Sequence, residues 1–112
     1  RMRNLESMPV DLYQNNDNVV IKAGLPGVKT DEIQISLVNN MLHIRAEIKE
    51  EQNVEKATYH IKELRFGSMS RSISLPCAVN SEKAKAEFEN GILVLTLPKA
   101  EEVKPKLITV NT

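Results

Sequence analysis

The chain has 112 residues, 41% of them hydrophobic, and 15 Lys+Arg balance 15 Asp+Glu; that length fits one domain able to bury roughly two-thirds of its unfolded surface without disulfide or metal staples. A single cysteine excludes an intrachain disulfide and a Cys-based zinc cluster, which suits a reducing compartment. Zero net charge and 4% aromatics without tryptophan argue against a dedicated binder of nucleic acid or anionic membrane.

Arg1 precedes Met2, which predicts a trimmed N-terminus. The longest apolar run, Ile92 to Leu95, is far below the ~20 residues of a membrane-spanning helix. Pro9, Pro26, Pro76, Pro98 and Pro105 all sit at the edges of patterned runs, as expected of a residue that cannot donate to a strand ladder.

Between the prolines the period is mostly two. Val19, Ile21, Ala23 and Leu25 form one apolar row, and Leu25-Pro26-Gly27 ends it in a turn. Ile33, Ile35 and Leu37 form a second row, and Leu42, Ile44, Ala46 and Ile48 a third. Asn39-Asn40 between them suits a tight hairpin with positive φ. Lys49 to Leu64 breaks the pattern: Val54, Ala57, Ile61 and Leu64 recur at helical spacing, so periodicity leaves helix and extended loop both open. Met69, Arg71, Ile73 and Leu75 resume period two. After Pro76, Ser81 and Gly91 could cap a helix, but Ala84, Ala86 and Phe88 alternate strictly with charged residues, which favours a short turn and then a strand. Ile92 to Leu97 reads as a strand buried on both sides. Lys99 to Lys106 is a charged linker, and Leu107-Ile108-Thr109-Val110 is either a frayed end or a docking strand. Short strands separated by turns predict an all-β antiparallel sandwich.

Catalytic patterns are missing. His43 lies on a polar strand face and His60 in the ambiguous segment, and both read as surface histidines. Gly67-Ser68-Met69-Ser70 lacks the second glycine of a nucleophile elbow. Gly24-Leu25-Pro26-Gly27 has GxxG spacing without a cationic central pair. Cys77 has no cationic neighbour in sequence to lower its pKa. The reading is of a non-enzyme with no catalytic residues, no metal and no cofactor.

Several motifs, in order, resemble the α-crystallin domain of the small heat-shock proteins. They are Pro9-Val10-Asp11, Leu25-Pro26-Gly27-Val28, the block Arg65 to Pro76, Ala86 to Leu93 with its central Asn90-Gly91, and the Ile108-Thr109-Val110 tail. The block departs from the family pattern in having Arg65 and Phe66 adjacent, and Met69 and Ile73 at positions often aromatic. The resemblance implies an immunoglobulin-like sandwich over residues 9–98, preceded by a remnant of an N-terminal arm (1–8) and followed by a linker (99–106) and a docking tail (107–112).

It further implies that Lys49–Phe66 is a long loop, carrying near Thr58, Tyr59, His60 and Ile61 a strand exchanged with a partner protomer. Arg71, an arginine on an apolar row, then belongs to the dimer interface, paired with Glu63 of the other chain; a local bulge that exposes it is the alternative. Ile108 and Val110 would plug a groove between Ile33, Ile35, Leu37 and Ala84, Ala86, Phe88, which is also the candidate client-binding surface. The implied function is that of an ATP-independent, cytoplasmic holdase chaperone. Its partners would be itself, as homodimer and larger homo-oligomer, and non-native client proteins, without nucleic acid or membrane. The alternative is a monomeric co-chaperone adaptor of the p23 type, which would lack the exchanged strand and the tail motif.

Overall fold

Alternating apolar and polar side chains favour pleated strands with one buried face. The computed structural model describes residues 3–4, 8–50 and 56–111, and among them places eight strands and no α-helix. The strands are β1 (Arg3–Asn4), β2 (Val10–Gln14), β3 (Asn18–Gly24), β4 (Ile33–Val38), β5 (Met41–Ile48), β6 (Gly67–Ser74), β7 (Lys85–Glu89) and β8 (Ile92–Pro98). They form two sheets ordered β1-β6-β5-β4 and β2-β3-β8-β7. β1 runs parallel to β6, and the remaining neighbours are antiparallel. The result is the predicted sandwich.

The core is built from the rows that period two selects. Val19, Ile21 and Ala23 of β3 stand opposite Leu97, Leu95 and Leu93 of β8, and all six are buried. The other layer supplies Leu42, Ile44 and Ala46 from β5 with Ile73 from β6. Asn39 and Asn40 take φ of 47° and 68°, the left-handed pair of a two-residue hairpin. Asn90 and Gly91 repeat the device between β7 and β8, with φ of 53° and 76°. The chain bends after Leu25, whose carbonyl accepts from the Val28 amide at 3.4 Å.

Met8 and Pro9 carry the chain from one sheet to the other. Met8 is fully buried in the core. The Pro9 carbonyl accepts from the Gly24 amide at 3.0 Å, and a Cβ on Gly24 would lie only 3.2 Å from Pro9 Cγ, so the glycine permits the close approach. Because so few residues separate β1 from β2, the β1/β6 edge of one sheet lies beside the β2 edge of the other. The Cys77 thiol, just after β6, approaches Gln14 of β2 at 3.9 Å, in agreement. The β4 and β7 edges therefore share the opposite side.

In four places the single chain refines or corrects the reading from sequence. The helical spacing in Lys49–Leu64 does not make a helix: residues 57–66 have no regular structure, while Glu51, Gln52 and Val54 lie outside the described residues. Nor do Thr58–Ile61 form a strand in the single chain, since a strand needs a neighbour to pair with. β8 is buried on one side only: its Leu row is inside, Val94 and Thr96 are half-buried, and Ile92 is 43% exposed, because no layer covers the outer face of that sheet. Before β7 the cap of the short 3-10 turn Ser81–Lys83 is Asn80, whose side chain accepts from the Glu82 amide at 3.1 Å, rather than Ser81.

Candidate interaction surface

The sheet edges carry the features that a packed core does not explain. On the β4/β7 side the inward rows run out before they are covered. Ile33, Ile35 and Leu37 stand opposite Ala46, Ile44 and Leu42, which are buried, yet Ile33 and Leu37 are half-buried and Ile35 is exposed. On β7, Phe88 is half-buried, whereas Ala86 and the preceding Ala84 are exposed despite lying on the inward row. Small alanines beside branched side chains leave a shallow apolar furrow whose two rims are unpaired strands. Topology sets the groove residues read from the sequence on β4 and on β7 with the turn before it, the edge strands on one side of the two sheets.

The segment expected to fill such a groove is free. Past the 3-10 turn Glu101–Val103, Leu107, Ile108 and Val110 are 102%, 89% and 85% exposed. The Cα radius of gyration, 19.1 Å, exceeds the ~13 Å of a compact domain of this length, in keeping with a tail that stands clear of the sandwich. At the tail's root Lys104 Nζ meets Glu101 Oε1 at 3.0 Å, and this hydrogen bond, with the attraction of the ammonium, lowers the Glu101 pKa from 4.5.

Arg71 lies on the inward row of β6, opposite Ile44, in a ladder that pairs without interruption from Gly67 to Ser74. No bulge turns it outward. It is half-buried, and its Nη1 donates to the Met8 carbonyl at 2.9 Å. Glu63 is exposed in the loop. Among the described residues the ion pairs are Lys62–Glu50 and Lys104–Glu101, so Arg71 and Glu63 of one chain are not joined.

The loop 56–66 borders an open cleft of about 1140 Å³, whose apolar lining includes Ile48, Tyr59, Ile61, Leu64, Phe66 and Met69. Sequence reasoning missed this cleft, and none of the predicted groove residues lines it. Lys62 holds the loop's local shape: Nζ reaches Glu50 Oε1 at 3.0 Å and sits 4.9 Å from the centre of the Tyr59 ring. The Glu50 hydrogen bond, then its charge, raises the Lys62 pKa above 10.5. Tyr59, Ile61 and Leu64 remain exposed, as does His60.

The histidines and the cysteine do not converge. His43 Nδ1 lies 2.7 Å from Ser72 Oγ on the solvent face of its sheet, far in sequence and element from His60, and Cys77 stands apart from both. Among the described residues no group of three or more His, Cys, Asp or Glu side chains is placed to hold a metal ion, and no helix is long and apolar enough to cross a membrane.

Comparison with known proteins gives one consistent result. The profile of the Hsp20/alpha crystallin family matches residues 11–111. Small heat shock protein C2 of Rickettsia felis is 36% identical over 101 residues, which make up 90% of this chain and 66% of that protein. Small heat shock protein C4 of the same organism is 41% identical over 103 residues, 90% of this chain and 62% of that one. The chain thus spans just under two thirds of the length of these relatives. The structure of heat shock protein 16.0 from Schizosaccharomyces pombe superposes with a TM-score of 0.77 at 32% identity, covering 95% of this chain and 98% of the other.

Proposed function

Because the chain belongs to the Hsp20/alpha crystallin family, we propose that it serves a chaperone that holds unfolding proteins without ATP. The observation that carries this reading is the furrow between β4 and β7, where Ile35, Ala84 and Ala86 are inner-face residues left in water beside two unpaired strands. Such a surface recognises what unfolding proteins have in common: nonpolar side chains and unsatisfied strand backbone. Occupying those groups lowers the concentration of the species that aggregate. The process has no chemical step, so no catalytic residue or cofactor is assigned.

The same furrow receives the chain's own tail from a neighbouring copy. Ile108 and Val110 project to one side of an extended strand and enter the furrow, while the backbone pairs with a rim. Dimers form through the loop, with Thr58–Ile61 adding to a partner's sheet. Of the four edge strands, β4 and β7 flank the furrow and β1 is only two residues long, which favours β2 as the receiving edge. Its Leu12 and Tyr13 are exposed in the single chain, which supports that choice. Arg71 pairs with Glu63 of the partner. The balanced charge keeps repulsion between packed copies small and suits a cytoplasmic protein that binds neither nucleic acid nor membrane.

The test is to heat a labile client protein with this protein in the absence of ATP and follow light scattering. Suppressed scattering at stoichiometric ratios is the expected result; unsuppressed aggregation would overturn the proposal.

A further inference from the structure

We propose that Met8 is a positioning residue for Arg71, so that the path of the N-terminal segment is coupled to the dimer contact. The inference rests on the assignment of Arg71 to that contact and adds a regulator to it.

The Met8 carbonyl is a fixed acceptor. Its side chain is fully buried in the core, and the next residue is clamped to the other sheet by the Pro9 carbonyl on the Gly24 amide at 3.0 Å. The β2–β3 ladder begins at Val10 opposite Ala23, so the Met8 carbonyl lies outside it. Its partner is Arg71 Nη1, 2.9 Å away, across the gap between the sheets. Met8 is thereby held from both layers and joins them.

Arginine carries five N–H donors in a planar fork. Met8 takes one, and a carboxylate can use others without displacing the carbonyl. A long side chain loses rotamer freedom when it pairs. For Arg71 that loss is already met by Met8, and a partner's carboxylate therefore binds a guanidinium that is in place. Coupling of this kind is reciprocal: filling the dimer contact must tighten the N-terminal segment by the same factor. That segment has a track to lie on, since Arg3 and Asn4 pair with Gly67 and Ser68 on the same strand that presents Arg71.

Amide hydrogen exchange on the full chain, at concentrations that span dimer dissociation, tests the idea. Exchange at Arg3 and Asn4, which lie on the other sheet from the receiving β2 edge, is expected to slow roughly tenfold as the dimer fills, in the usual range for coupled sites, while amides of β3 and β8 stay constant. In Arg71→Ala at monomer concentrations the same amides should exchange faster than in the unaltered monomer. Gly24→Ala, which pushes Pro9 without touching Arg71, should weaken the dimer several-fold alone and add nothing to Arg71→Ala. Exchange indifferent to concentration, or additive effects of the two substitutions, would overturn the proposal while leaving the dimer contact standing. Unchanged dissociation in Arg71→Ala would remove the dimer contact itself, and the coupling with it.

Discussion

Ile35 and Ile44 stand opposite each other in the β4–β5 register, on the same face of the same sheet, yet Ile44 has no exposed surface and Ile35 keeps 39% of its own. One strand's width separates a packed core from an open furrow. The two residues should respond differently to truncation. Ile44→Ala leaves a cavity in the core and is expected to lower stability by about 2–5 kcal/mol. Ile35→Ala forfeits part of a transfer term without an enclosed cavity, about 1–2 kcal/mol. Urea denaturation of both variants measures the difference, and equal losses would mean that the furrow is closed in solution.

The hairpin between these strands makes a second demand. Asn39 and Asn40 both occupy the left-handed region, which asparagine tolerates better than most residues. Asn40 is also tied to Leu75, donating from its side chain at 3.2 Å and accepting from the Leu75 amide at 3.0 Å. Asn39→Gly is therefore expected to be neutral or slightly stabilising. Asn39→Val should destabilise by about 1–2 kcal/mol through backbone strain. The urea midpoints would reverse this order if the turn were not of the left-handed type.

Much of the sandwich was legible because hydrophobic alternation reports directly which side chains face inward. The rows of β3, β5 and β6 and the Leu row of β8 are the core that the sequence predicts. Alternation does not report which strands become neighbours. The pairing of β3 with β8, across more than half the chain, is a non-local choice made by packing. The spacing of Val54, Ala57, Ile61 and Leu64 left helix and loop both open because apolar residues on a loop need no fixed period; Ala57, Ile61 and Leu64 lie in the loop, and Val54 lies outside the described residues. Ile92 misled, since a continuous apolar run reads as burial on both faces whether or not a second layer exists. Met8 gave no signal at all: a lone methionine before a proline has no period, and only the crossing between sheets explains its burial. Of the candidate site, the furrow residues and the free tail were visible as rows, whereas the cleft beside the loop depends on a loop path that no local pattern encodes.

The tail prediction separates assembly from folding. Ile108 and Val110 are almost fully exposed in the single chain, so they contribute nothing to the stability of the sandwich. Ile108→Gly combined with Val110→Gly should leave the urea midpoint unchanged. In the assembled protein the same pair of changes should reduce large assemblies to dimers, as measured by size exclusion with light scattering. An unaltered assembly size would show that the tail does not dock.

Lys62 supplies a pH-dependent test of the loop. The Glu50 hydrogen bond, followed by the Glu50 charge, raises its pKa above the ordinary 10.5, since both favour the ammonium. A group whose folded pKa lies above its unfolded value contributes fully below the unfolded pKa, and the contribution disappears as pH rises through the folded one. The Glu50–Lys62–Tyr59 contacts should therefore hold at neutral pH and let go only above 10.5. The pair is solvent-exposed, so its release should free the loop and leave the sandwich's denaturation midpoint where it was. NMR titration of the Lys62 side-chain Cε resonance reads the effect: a midpoint above 10.5 in the unaltered chain, and a fall toward 10.5 in Glu50→Gln. Identical midpoints in the two chains would show that Glu50 does not hold Lys62. Among the described residues that contact is the loop's one ion pair to the segment that follows β5.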